Sequence, residues 1–99
     1  MMNRLFAVIR SRGPGWNAGL PLEKQAEWTA HAEFMDGLVF EKFVLLGGPL
    51  EGSSDVLLII RARDESQIEE RLGSDPWMRN GLLVPKRIWP WQLRLGALA

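Results

Sequence analysis

Two short runs of the sequence are apolar at every position: Leu5, Phe6, Ala7, Val8 and Ile9, then Val56, Leu57, Leu58, Ile59 and Ile60. A strand sends successive side chains to opposite faces of its sheet, so a run without polar alternation calls for cover on both sides. That demand is hard to meet in a chain of 99 residues. Such a chain fits one domain, read here as residues 1–99, and buries about 60% to about 70% of its unfolded surface, enough for one modest core.

The rest of the chain sets the two runs in a simple order. Residues 4–10 read as a strand. Residues 11–20 hold Gly13, Pro14, Gly15 and Gly19 and read as a loop. Pro21 suits a first helical turn, and Ala, Glu, Lys and Gln carry a helix to residue 36, where Gly37 can end it. A second strand over residues 38–46 stops at Gly47-Gly48-Pro49. A turn over residues 50–54 leads to a third strand, residues 55–61. Asp64 and Gln67 have capping-box spacing, Ile68 and Leu72 form one helical stripe, and Gly73 can close that helix. Ser74-Asp75-Pro76 reads as another helix start, with a short turn running to Gly81. The last strand is expected over residues 83–95, with Trp89, Trp91, Leu93 and Leu95 on one face and Lys86, Gln92 and Arg94 on the other.

The order is β-α-β-β-α-β, an α+β fold of ferredoxin-like type with an antiparallel sheet and helices on one face. Helices on one face leave the other bare, yet two strands are apolar on both. The simplest cover is a second copy around a two-fold axis, making a homodimer. The alternative is a monomer whose loop folds over that face, but residues 11–20 are too few to shield four strands.

Composition removes several function classes. Lys plus Arg is 12 and Asp plus Glu is 12, so the chain lacks the basic footprint that phosphate backbones require, and no nucleic-acid partner is expected. Without cysteine there is no disulfide, thiol nucleophile or thiolate metal site. The apolar run after Met1-Met2-Asn3-Arg4 is too short for a signal-peptide core, and no stretch approaches a membrane span. The expectation is a soluble cytoplasmic protein with no membrane partner. Five tryptophans are too many for so small a core, so some should line a pocket or a subunit contact.

Few residues suggest chemistry. His31 is the only histidine, with Glu27, Trp28, Phe34 and Met35 one helical turn away. It reads first as a half-buried helix histidine and second as a general base. Asp75 before Pro76 reads first as a helix cap, and second as a carboxylate that orients the imidazole; its two oxygens allow both. Residues 13–19 lack the spacing of a phosphate loop, but Trp16 among glycines can be a lid over a pocket as well as a surface connection. Gly48 and Pro49 read as a turn where a ligand can approach the backbone. Arg10, at a strand end, is either solvated or placed to meet an anionic substrate. One histidine and scattered carboxylates give no metal-ligand spacing.

These motifs together resemble the YCII-related family of the dimeric α+β barrel superfamily. The matching pieces are His31 in the first helix, Gly48-Pro49-Leu50 after the second strand, Asp75-Pro76-Trp77 with Gly81 following, and Trp89-Pro90-Trp91 in the last strand. They span nearly the whole chain in the family's order. The resemblance implies a ferredoxin-like subunit, a two-fold dimer built on the sheets, and a pocket between sheet and helices. The family's proposed His–Asp pair falls on His31 and Asp75. Superfamily members include isomerases, lyases and monooxygenases acting on small cyclic compounds, often without metal or cofactor, so none is expected. The loop over residues 11–20 departs from the family pattern, as does Trp28, where members often carry a basic residue.

The expected function is therefore a small cofactor-free enzyme of lyase or isomerase type. His31 and Asp75 would be catalytic, with Arg10, Trp16, Trp28, Gly48, Pro49 and Trp77 binding a small-molecule substrate. The alternative is a non-catalytic ligand-binding or accessory dimer in which His31 is a wall residue. Hydrogen-bond reach between His31 and Asp75 beside an open pocket favours the first.

Overall fold

The computed structural model describes residues 3–98; Met1, Met2 and Ala99, and with them the Met1-Met2 start, lie outside the described residues. Four strands and three α-helices follow one another among the described residues: β1 (Arg4–Arg12), α1 (Trp28–Phe40), β2 (Val44–Pro49), β3 (Asp55–Ala62), α2 (Glu65–Leu72), α3 (Pro76–Arg79) and β4 (Leu83–Trp91). The strands make one antiparallel sheet in the order β2-β3-β1-β4. The fold class is α+β. No helix among the described residues is long and apolar enough to cross a membrane.

The two wholly apolar runs are the two central strands. They pair from Arg4 opposite Ala62 to Ser11 opposite Asp55. Phe6, Val8, Leu58, Ile60 and Ala62 close on Leu38 of α1 and on Ile68 and Leu72 of α2, forming the core. Leu5, Ala7, Ile9 and Leu57 alternate to the opposite face and stay half-buried. There Ala7 pairs with Trp89, Leu5 with Trp91 and Ile59 with Leu46. Leu46, Trp89 and Trp91 are 55%, 50% and 40% exposed, a large apolar share for one face of a small sheet.

The first helix departs from the expected residues 21–36. Pro21 opens only a 3-10 turn, Leu22–Lys24. Gln25 is buried and its amide nitrogen donates back to the carbonyls of Asn17 and Leu20, while its oxygen accepts from Asn17 N–H. The chain is therefore still tied into the loop at that point. Glu27 follows in the left-handed region, at φ 57°, and α1 starts after it. At the far end α1 runs through Gly37 and takes in Leu38, Val39 and Phe40, which were expected in the second strand. Its stop is Lys42, at φ 63°. Phe43 N–H donates to Leu38 and Lys42 N–H to Val39, a Schellman ending with lysine where glycine is usual. Burial of Leu38 and Phe43 in the core outweighs the stop signal at Gly37.

β2 accordingly begins at Val44, and Gly47, Gly48 and Pro49 lie in the strand rather than in a turn. β2 is an edge strand, where a proline need not cost a ladder hydrogen bond. Asp64 caps α2 by accepting from Gln67 N–H at 2.8 Å, but the Gln67 side chain accepts from Arg63 N–H and not from Asp64, so the box is offset by one residue. β4 stops at Trp91, opposite Leu5, because β1 has little further strand to offer; Leu93 and Leu95 fall beyond it.

The glycine-rich loop packs backbone to backbone. Gly13 and Gly15 N–H groups donate to the carbonyls of Leu82 and Gly81 at 2.8 Å and 2.9 Å. A methyl group on Gly13 would run into the Gly81 carbonyl. Gly13→Ala is expected to destabilise the protein by about 1–3 kcal/mol in equilibrium urea unfolding, as overpacking does. Unchanged stability would mean that the loop shifts without cost.

Candidate active site

Phe6, Val8 and Arg10 occupy alternate positions of β1, so the Arg10 side chain enters the interior along the path of two core residues. It is 2% exposed. α1 brings in His31, and α3 brings in Asp75 as its N-cap. Pro76 at the first helical position suits that helix start, and Asp75 Oδ1 accepts from Trp77 N–H at 2.9 Å.

The same carboxylate joins the other two groups. His31 Nδ1 lies 2.8 Å from Asp75 Oδ1 and 3.0 Å from Oδ2. Arg10 Nη1 donates to Asp75 Oδ2 at 2.8 Å. Asp75 is therefore both the helix cap and the histidine's partner. An ionised carboxylate only accepts, so His31 Nδ1 carries the hydrogen and donates it. Nε2, the other ring nitrogen, has no hydrogen-bond partner among the described residues.

Burial pushes the Asp75 carboxyl up. Hydrogen bonds from His31, Arg10 and the Trp77 N–H outweigh it and hold the group below the usual carboxylate range. Burial lowers the Arg10 pKa while Asp75 opposes the shift. Arg10 nonetheless stays a cation. Asp75 thus stays an anion fixed by three donors.

Aromatic rings set the histidine's orientation. His31 stacks on Trp77 with centroids 3.8 Å apart and planes 6° from parallel. Trp77 is itself fixed, its Nε1–H donating to the Ala26 carbonyl at 2.7 Å, with Trp16 edge-on at 5.4 Å and Trp28 tilted at 5.7 Å.

A cavity of about 300 Å³ opens beside this cluster. Arg10, Trp16, Trp28, His31, Gly48, Pro49 and Trp77 all line it, and Asp75 lies behind His31 and Arg10. Every residue expected to be catalytic or substrate-binding is thus in or directly behind one pocket. Gly48 and Pro49 reach it from a strand rather than from a turn. Glu27, the carboxylate one turn before His31, accepts from Asn80 Nδ2 instead of meeting the imidazole.

The pocket also takes in residues outside the expected catalytic and binding set. Arg12, expected in the loop, ends β1, shares a face with Arg10 and lies over the Trp16 ring at 4.6 Å. The alternation Phe6, Val8, Arg10, Arg12 is the signal that locates it. Met35 lines the pocket with its sulfur 3.6 Å from Arg10 Nη2. Gly47 leaves room, since a Cβ there would stand 2.6 Å from a Leu58 methyl. Val44, Val56 and Leu58 complete an apolar floor.

Among the described residues, no group of three or more His, Cys, Asp or Glu side chains is placed to hold a metal ion. No protein-family model matches the chain, and no curated protein matches it. Fold and site together define an α+β protein whose sheet and helices enclose a buried Arg–Asp–His cluster beside a cavity.

Proposed function

We propose that the protein is a small enzyme that moves a proton on a ring-sized substrate, with His31 as the general base. The observation that carries this reading is the 2.8 Å contact from His31 Nδ1 to Asp75 beside the cavity that His31 lines. With Nδ1–H held by the carboxylate, the lone pair lies on Nε2, the nitrogen left for a substrate. Nε2 takes a proton from carbon or hydroxyl, and Asp75 stabilises the imidazolium that forms. Asp75 does not compete for the proton, because three hydrogen bonds favour its ionised form. The imidazolium then returns the proton to another substrate atom, which is isomerisation, or to a departing group, which is elimination. Apolar walls and Trp28 suit a cyclic body, and about 300 Å³ is room for one ring with substituents.

The resemblance to the YCII-related family supports the same assignment and the ferredoxin-like, two-fold arrangement that goes with it. In that reading the strand order β2-β3-β1-β4 is the split β-α-β pattern. The bare sheet face then belongs to a second copy, as in a dimeric α+β barrel. A cytoplasmic, cofactor-free protein fits this reading.

The test is a screen of small metabolites by ligand-induced thermal stabilisation, followed by turnover assays on the hits. His31→Gln is expected to lower kcat by about 10²–10⁴-fold on any true substrate, the usual contribution of a general base. Hits that bind but show no His31-dependent turnover would instead favour a ligand-binding domain.

A further inference from the structure

The Arg10 guanidinium is under-used by the protein. Nη1 is taken by Asp75 at 2.8 Å. Among the described residues Nη2 has only the Met35 thioether, at 3.6 Å, and sulfur is a weak acceptor. Nε is buried and has no partner among the described residues. Nε and Nη2 form one edge of the guanidinium, a planar fork whose two N–H bonds run parallel and match the two oxygens of a carboxylate. A buried donor left unmade is costly, and this one belongs to a side chain that lines the cavity.

Charge around the cavity points the same way. Among the described residues its lining includes Arg10 and Arg12 and no Asp or Glu. Asp75, behind the wall, cancels one of the two cations. One positive charge remains while His31 is neutral, and a monoanionic ligand would balance it. Met35, long and unbranched, is the side chain most easily moved from the Arg10 fork.

We propose that the substrate is a small carboxylate with an apolar ring-sized body, held by the Nε–Nη2 edge of Arg10 in place of the Met35 sulfur, with Arg12 drawing it in. This rests on the acid–base reading of His31 and adds the substrate class to it. Arg10 and His31 are bonded to the same Asp75 carboxylate, so an anion on Arg10 presents its neighbouring carbons to the His31 side of the pocket.

The experiment compares benzoate with benzamide, equal in shape and different in charge, on the wild-type protein. Binding is followed by tryptophan fluorescence and by the NMR signals of the arginine Nε–H groups. Benzoate is expected to bind at least about tenfold tighter than benzamide at low salt, as a hydrogen-bonded charge pair implies. Its advantage should shrink as salt is added, and the Arg10 Nε–H signal should move. Arg12→Gln is expected to weaken benzoate several-fold and leave benzamide unchanged. Observation of Arg10 in the native protein avoids any variant at a buried ion pair. Equal affinity for the two probes, no binding of either at millimolar concentration, or benzoate binding with a stationary Arg10 signal would overturn the proposal. His31→Gln separates it from the acid–base reading. Benzoate binding that survives the substitution supports the Arg10 anchor whatever becomes of catalysis. Turnover of neutral compounds alone, abolished by the same substitution, overturns the anchor and leaves the base in place.

Discussion

Asp75→Ala is expected to destabilise the protein by about 3–5 kcal/mol, the cost of leaving a charged partner buried and unpaired. Its side chain is completely buried and accepts from Arg10, His31 and the Trp77 N–H. Alanine returns none of these acceptors. Arg10, at 2% exposure, would keep only the Met35 sulfur. The lost helix cap, worth about 1 kcal/mol by itself, overlaps with this figure and does not add to it. Against a usual stability of about 5–15 kcal/mol the loss is large. Asp75→Asn should fall between wild type and Asp75→Ala, because asparagine still caps α3 yet cannot neutralise Arg10. Catalysis should not follow that order, since an amide cannot stabilise an imidazolium as a carboxylate does. Equilibrium urea unfolding of the three proteins gives the ranking. Equal stability of Asp75→Ala and wild type would mean that the buried cluster adds nothing to folding.

The same carboxylate fixes the direction of a pH effect. The Asp75 pKa is lowered on folding, so across the acid range the folded protein binds fewer protons there than the unfolded chain. Its contribution is complete above the unfolded carboxylate value, about 3.9, and is lost as pH falls through the lower, folded value. Unfolding free energy measured between neutral pH and pH 2 should therefore fall in wild type. Asp75→Asn should lack that part of the slope.

How much of this was legible in the sequence depends on the range of the interaction involved. β1 and β3 are plain because unbroken apolar runs announce strands buried on both sides. Asp75-Pro76 is plain because a cap and its proline are local. The start of α1 was not, since the deciding contacts lie outside helical spacing: Gln25 bonded back to Asn17 and Leu20 in the loop, and Glu27 to the distant Asn80. Its end was misread because Gly37 carries a local stop signal while Leu38 and Phe43 answer to the core. The His31 and Asp75 pairing spans 44 residues, and no spacing rule reaches that far; the resemblance to a known motif order suggested it, and the geometry brings the two within hydrogen-bond distance. Arg10 was visible as a candidate for an anion. Its unpaired Nε was not, because only the packed structure shows which donors remain unmet.

The other large effect is expected on the bare face of the sheet. Leu5, Ala7, Ile9 and Leu57 stand there without helical cover, with Trp89 and Trp91 beside them. The wild-type protein is expected to sediment as a homodimer at micromolar concentration, each copy covering the other's face. Leu57→Arg tests this within the patch, where Leu57 pairs with Ile9 on one side and Gly48 on the other. In a monomer an arginine there can extend its head to water. In a two-fold dimer the substitution occurs twice and sets two like charges into an apolar contact. A cost of about 2 kcal/mol per copy, modest for a buried unpaired charge, gives about 4 kcal/mol in all and weakens association roughly a thousandfold. Sedimentation should then show a folded monomer, and the emission of Trp89 and Trp91 should shift to the red as water reaches them. Should the variant unfold instead, stability that rises with wild-type protein concentration would tie folding to assembly. A wild-type monomer at micromolar concentration, or a Leu57→Arg protein that still dimerises, would leave the apolar face without the partner assigned to it.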